Sequence, residues 1–226
     1  MSIAGNIAKI EERIQKACDK AGRKRGEITL MGVSKFVQIE KIEEAFSAGV
    51  RCFGESRIKE ASEKFENWQR QDSQLHFIGY LQRNKAKQAA LLFDCIQSVD
   101  RDELIEELDK QSLARLKPLK VLLEMRTGEE TKSGYVNIES LFKAAESVLN
   151  CKMLKLSGLM TMAPFTDDIE LIRSSFRQLV KVQNELEKRY PGEDWTCLSM
   201  GMSNDFETAV EEGSTMLRIG SAIFND

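Results

Sequence analysis

The sequence predicts an α/β fold, a single (β/α)8 TIM-type barrel domain over residues 1–226 with an extra N-terminal helix. Three observations predict it. Eight short apolar runs alternate with longer amphipathic stretches, in units of near-equal length. The apolar runs are continuous rather than strictly alternating, which suits parallel strands buried on both faces. No GxGxxG follows the first run, which favours the barrel over its main rival, a doubly wound open sheet.

The elements follow in order. The chain opens on a helix pattern with Ile3, Ile7, Ile10, Ile14 and Ala17 on one face. Strands are expected at 29–34, 51–55, 74–80, 95–99, 119–125, 155–162, 196–201 and 216–224. Helices starting near Ile39, Ile58, Lys85, Asp102, Ile138, Ile169 and Asp205 fill the intervals. Capping boxes pair Asp100 with Glu103, Asp167 with Glu170 and Asn204 with Glu207. The longest helix, 168–189, carries Ile172, Phe176, Leu179 and Leu186 at helical spacing. Seven helices between eight strands leave one place in the outer ring. The N-terminal helix is expected to fill it, because the chain ends directly after the last strand.

Composition narrows the function classes. Hydrophobic residues make up 42% of the chain, enough for a substantial core, and no Pro/Gly/Ser-rich linker divides it. The net charge of −3 gives no bulk attraction for nucleic acid or an anionic membrane, so neither is an expected partner. No N-terminal stretch resembles a signal peptide and no run reaches spanning length. Cys18, Cys52, Cys95, Cys151 and Cys197 are odd in number, widely spaced and form no CxxC. They are expected as free thiols in a reducing cytoplasmic setting. With one histidine and no clustered cysteines, no metal site is expected. His76 falls inside the third strand and reads as a core or wall residue rather than a base. Met160, Met162, Met200 and Met202 cluster at strand ends and read as gap-filling core, with Met160 placed to line the face of a bound ring. The Lys/Glu runs at 9–24 and 102–110 read as solvated helix faces.

In such barrels the chemistry sits at the C-terminal ends of the strands. The first of these ends carries Lys35. A lysine at the mouth of a buried strand is costly to bury unless it is paired or neutral, and anion binding or imine formation with a carbonyl are the usual reasons for one. The alternative is a lysine snorkelling out of a strand end, and this segment alone does not choose. The last two ends carry SMGMSND, with Ser199, Gly201 and Ser203, and RIGSA, with Gly220 and Ser221. Either segment alone reads as an ordinary Ser/Gly turn. Together they fall where these barrels place phosphate, in the loops after strands seven and eight. Small residues let backbone N–H groups approach an anion and hydroxyls add donors. An amine on the first strand and a phosphate cradle on the last two describe a bound phosphorylated aldehyde, and pyridoxal 5'-phosphate (PLP) fits.

The motifs GVSK, AGVRCFGES, HFIGYLQRNK, SVDR, KSG at 132–134, GLMTMAP, LSMGMSND and GSTMLRIGSAIF occur in this order along nearly the whole chain. In them the chain resembles the pyridoxal phosphate homeostasis proteins (the YggS/PROSC group), which look like the barrel domain of alanine racemases. The resemblance implies that Lys35 is the Schiff-base lysine. It implies that Ser199, Ser203, Gly220 and Ser221 hold the phosphate and that Arg218 faces the pyridine nitrogen. The chain departs from the family pattern in places. Ser56 stands where an asparagine is usual, which puts one hydrogen bond from that cofactor-site position in doubt. Tyr80 replaces a proline, with Arg83 following, and is expected to reshape the pocket floor or stack on the ring. Ser221 replaces a common threonine and keeps the hydroxyl.

The resemblance also bears on turnover. Alanine racemases take a second base, a tyrosine, across a dimer that involves an added β domain. This chain ends at Asp226, after the last strand, and its tyrosines are Tyr80, Tyr135 and Tyr190. A cationic Arg218 beside the ring nitrogen would keep that nitrogen unprotonated and weaken the ring as an electron sink. The expected function is therefore a PLP carrier or buffer in vitamin B6 homeostasis, monomeric, with PLP-dependent apo-enzymes as recipients. The runner-up is a slow amino-acid racemase. A third reading is a PLP-free Schiff-base lyase with Glu55 as the acid/base partner of Lys35. In the polar loop 127–137, Lys132 is a candidate second amine for PLP during transfer.

Overall fold

The expected strands form as β1 (Thr29–Val33), β2 (Cys52–Glu55), β3 (Gln74–Phe77), β4 (Cys95–Val99), β5 (Leu119–Glu124), β6 (Leu154–Met160), β7 (Cys197–Ser199) and β8 (Met216–Ile219). Each pairs in parallel with the next, and β8 pairs back onto β1 through Leu217↔Leu30 and Arg218↔Met31, so the sheet closes. This is a computed structural model, and it describes residues 2–68 and 72–225. The domain bounds 1 and 226 drawn from the sequence lie outside the described residues.

Nine helices surround the barrel among the described residues. They are α1 (Ile3–Ala21), α2 (Ile39–Ser47), α3 (Ile58–Phe65), α4 (Ala86–Leu92), α5 (Asp102–Ser112), α6 (Ile138–Leu149), α7 (Ile169–Arg189), α8 (Phe206–Glu211) and α9 (Ser221–Phe224). The apolar stripe of α1 is buried as its spacing requires. The helix starts at Ser2, whose Oγ accepts from Gly5 N–H at 3.2 Å, and stops at Gly22 in the left-handed region. It packs against α2, α8 and α9, filling the open place in the ring. Asn6 Nδ2 ties it down by donating to the Ile223 and Asn225 carbonyls at 3.0 and 3.3 Å. α7 buries Ile172, Phe176, Leu179, Val182 and Leu186, each worth about 1.5–3 kcal/mol of burial free energy.

The structure departs from the sequence expectation at the last strand and at the helix caps. The last strand does not run to residue 224; it ends at Ile219, and 221–224 turn into α9. Ile223 and Phe224 are adjacent and both buried in the layer between sheet and helices, whereas a strand would point them to opposite faces. The helix caps also differ. α7 is capped by Asp168, whose Oδ1 accepts from Glu170 and Leu171 N–H at 3.0 and 3.2 Å. Arg101 and Asp205 precede α5 and α8 without a side-chain cap. Asp205 instead spends its carboxylate on Met202 N–H at 2.5 Å, closing the turn after β7.

Residues alternate between two cores. One face of each strand meets the helices in a large apolar layer. The other fills the barrel, with Met31, Cys52 and Met216 in one cluster and Cys95, Leu122 and Met160 in another. All five cysteines are free thiols. No helix among the described residues is long and apolar enough to cross a membrane.

Candidate functional site

The strand ends converge on one mouth of the barrel, and Lys35 stands on its rim. It follows β1 by two residues, in a turn, and is exposed. Of the two readings left open by the sequence, the structure has the exposed one: the lysine is free in solvent, with no hydrogen bond or ion pair among the described residues. Phe36, next to it, holds the left-handed conformation at φ 63°, unusual for an aromatic residue.

A cavity of about 370 Å³ runs beside this turn, lined by Val33, Lys35, Phe36, Lys41, Gly220 and Ser221 among others. It brings the amine of the first strand end together with the glycine and serine of the last. Ser203 joins them: its Oγ accepts from Ser221 Oγ at 3.1 Å and from Ala222 N–H at 3.5 Å. The loops after β7 and β8 are thus joined at Ser203. Ser221 is exposed and Ser203 half-buried, so both hydroxyls can be reached from solvent.

Ser199 is not with them. It pairs in register with Met216 of β8, well before Gly220 in the loop that follows, and is fully buried. Its hydroxyl belongs to a polar chain that crosses the barrel interior. Arg218 Nη1 donates to Ser199 Oγ at 2.8 Å, Ser199 Oγ donates to Gln97 Oε1 at 2.6 Å, and Gln97 Nε2 bonds His76 Nδ1 at 2.8 Å. His76 Nε2 then faces Gln74 Oε1 at 3.2 Å. The chain is consistent if the imidazole is neutral with its proton on Nε2. Burial supports that, pushing the His76 pKa down to about 3, so His76 is a wall residue.

Arg218 is buried and orients through carbonyls as well, donating from Nη1 to Ser199 O at 2.6 Å and from Nη2 to Thr161 O at 2.8 Å. Burial pushes its pKa down, opposed by the carboxylates of Asp205 and Glu124. Glu124, at the end of β5, is itself buried and accepts from Ser133 Oγ at 3.0 Å. Burial raises its pKa to about 7. Met160 lies buried at the register level of Ser199, against Cys95 and Leu122.

Ser56 follows β2, half-buried, and its backbone lies so close to Gly79 that a Cβ there would sit 2.4 Å from the Ser56 carbonyl oxygen. Tyr80 is not on a pocket floor. It is exposed, with the Arg101 guanidinium 4.9 Å from its ring centre, on the wall of a separate cleft between α3 and α4. Glu55 is buried and faces α3, accepting from Lys64 Nζ at 3.1 Å. Lys132 is exposed in its loop, 3.7 Å from Glu129.

Gln97 and Glu124 escaped sequence reasoning as site residues. The signal for both is a polar residue inside an otherwise apolar run, CIQSV and VLLEM, at a position that alternation turns into the barrel.

Comparison with known proteins agrees with this architecture. The family described as "Alanine racemase, N-terminal domain" matches residues 6–226. A protein from Aquifex aeolicus named "Pyridoxal phosphate homeostasis protein" is 38% identical over 226 residues, covering 100% of this chain and 99% of its own. A solved structure of "an unknown protein from Bifidobacterium adolescentis" superposes with a TM-score of 0.91 at 33% identity, covering 99% of this chain and 94% of that one. PipY of Synechococcus elongatus, solved with PLP bound, superposes with a TM-score of 0.86 at 31% identity, covering 99% of this chain and 100% of its own.

Proposed function

The chain belongs to the pyridoxal phosphate homeostasis proteins, within the family of the alanine racemase N-terminal domain, and we propose that it binds PLP at the barrel mouth, with residues 1–226 as one binding domain. The observation that carries this reading is the cavity that puts the free amine of Lys35 beside Gly220 and Ser221. The donor set suits the cofactor. Ser203 and Ser221 offer two hydroxyls for phosphate, Lys35 an unpaired amine, and Arg218 a fixed guanidinium for a ring nitrogen. Bound PLP supplies an aldehyde that condenses with a lysine amine and a ring that withdraws electrons. The residues of the chain bind and orient it: the serines anchor the phosphate and Lys35 takes the covalent link. Ser56 and Met160 are proposed to line the ring. Ser199 is proposed to act one step back, by holding Arg218.

The role that suits this site is carriage within vitamin B6 homeostasis, in the cytoplasm, by a monomer that hands PLP to apo-enzymes. No tyrosine lines the Lys35 cavity among the described residues. Tyr135 is buried and donates to Asp102 at 3.0 Å, and Tyr190 packs on Trp195. The lyase reading loses its acid/base partner, because Glu55 is enclosed against α3.

The test is the visible spectrum of the purified protein with added PLP, beside Lys35→Ala, followed by borohydride reduction and peptide mapping. An absorption band fixed by reduction on Lys35 and lost in the variant supports the reading. No band, or a label spread over surface lysines, overturns it. Racemisation by the loaded protein at a rate comparable to the racemases would overturn the carrier role alone.

A further inference from the structure

Among the described residues Lys35 has no hydrogen bond or ion pair of its own to place it, yet the residues on either side of it are held. Ser34 is fully buried; its N–H donates to Gly54 O at 3.0 Å and its Oγ to Glu55 Oε1 at 2.7 Å. The Ser34 carbonyl accepts from Lys64 Nζ at 2.8 Å. Phe36 N–H donates to Glu60 Oε1 at 2.5 Å. Lys64 links these anchors, donating also to Glu55 Oε1 at 3.1 Å and Glu60 Oε1 at 2.5 Å. Its ammonium thus has three acceptors for its three N–H bonds, with only 12% of the side chain exposed.

This is more than the docking of α3 requires. Ala61 and Phe65 supply that, with Phe65 packed on Phe53 and Trp68. The polar network instead converges on the two peptides that flank Lys35. It also explains how Phe36 keeps a left-handed backbone that costs an ordinary residue free energy: its N–H is claimed by a carboxylate that a buried ammonium holds in place. Glu55 completes the cluster with Oε1 alone, its Oε2 having no hydrogen-bond partner among the described residues, and burial raises its pKa.

We propose that Lys64 and Glu60 of α3 are positioning residues for Lys35, holding the turn that presents its amine to the cavity. The proposal rests on Lys35 being the residue that takes PLP. It predicts that loosening the turn slows covalent capture without changing what the phosphate cradle binds, since Ser203, Gly220 and Ser221 lie outside the network.

The experiment uses the full chain with Glu60→Ala, Glu60→Gln, Lys64→Met and Lys35→Ala. Three quantities are read: the rate of PLP attachment mapped to Lys35, the affinity for pyridoxine 5'-phosphate, which has the ring and phosphate but no aldehyde, and the melting temperature. Glu60→Ala and Lys64→Met are expected to slow attachment at Lys35 by about tenfold to a hundredfold. Pyridoxine 5'-phosphate affinity stays unchanged. Glu60→Gln, which keeps an acceptor for Phe36 N–H, recovers most of the rate. Glu60 keeps 20% of its side chain exposed against 12% for Lys64, so Glu60→Ala decides the matter even where Lys64→Met fails to fold. A wild-type attachment rate in Glu60→Ala overturns the proposal. So does a loss matched by an equal loss of pyridoxine 5'-phosphate affinity, which marks collapse of the whole site. If Lys35→Ala captures PLP as the wild type does, the reading of Lys35 itself fails and the proposal with it.

Discussion

Arg218 reaches Ser199 twice through one nitrogen, with Nη1 2.8 Å from Oγ and 2.6 Å from the carbonyl oxygen. A serine read from sequence as a phosphate ligand is thereby tied to the guanidinium at the barrel centre. Ser199→Ala removes the Gln97 donor and one Arg218 acceptor inside a closed core. Leaving those groups unsatisfied is expected to cost about 1–3 kcal/mol of stability. Urea unfolding measures it. A variant as stable as wild type would mean the hydroxyl is dispensable to the interior chain.

Ser203→Ala combined with Ser221→Ala is expected to behave in the opposite way. These hydroxyls bond chiefly to each other at the rim, so the melting temperature should hold. Hydrogen bonds to a charged partner are worth about 1.5–3 kcal/mol each, so affinity for pyridoxine 5'-phosphate should fall by at least tenfold. Retained affinity in a titration would place the phosphate elsewhere.

Lys132 sits on the loop that the chain folds back onto β5, where Tyr135 N–H donates to Glu124 O at 2.8 Å and Ser133 binds the Glu124 carboxyl. The KSG segment is therefore anchored while the Lys132 side chain stays in solvent. That arrangement suits an amine which takes PLP on its way out. Lys132→Ala is expected to slow handover to an acceptor apo-enzyme several-fold while the Lys35 band is unchanged. Equal handover rates in wild type and variant would remove Lys132 from the path.

The barrel was legible because every apolar run had to be buried on both faces, while eight near-equal units without a GxGxxG after the first favoured a closed sheet over a doubly wound open one. The placing of α1 was legible because seven helices between eight strands leave one position in the ring. What stayed hidden depends on side-chain direction. Ser199 and Ser203 share one short motif, but four residues along a strand and its turn separate a core position from a rim position. Tyr80 lines the cleft between α3 and α4 rather than the Lys35 cavity, with Arg101 over its ring, a placement its position in the motif does not reveal. The grip on Lys35 comes from Glu60 and Lys64, an i,i+4 pair whose spacing alone is that of any solvated helix face. The interior pairing of Gln97 with Ser199 joins residues on β4 and β7, which only the closed sheet brings together.

Glu124 gives the fold a pH dependence of definite sign. Burial first, with Asp100 nearby adding to it, raises its pKa from 4.5 to about 7, against the opposing effects of the Ser133 hydrogen bond and Arg218. Between these values the folded state binds a proton that the unfolded state has released. Stability from this group is therefore complete below about pH 4.5 and is lost as the pH rises through about 7. The size of the loss is on the order of 3 kcal/mol. His76 works in the other direction, because its pKa is lowered to about 3 and its contribution is lost on the acid side. Glu124→Gln keeps an acceptor for Ser133 and removes the titration. Urea unfolding at pH 5, 6, 7 and 8 should show wild-type stability falling relative to the variant across this range. Parallel curves for the two proteins would show that the Glu124 carboxyl titrates at its ordinary value and that the barrel interior around Arg218 is better solvated than its burial implies.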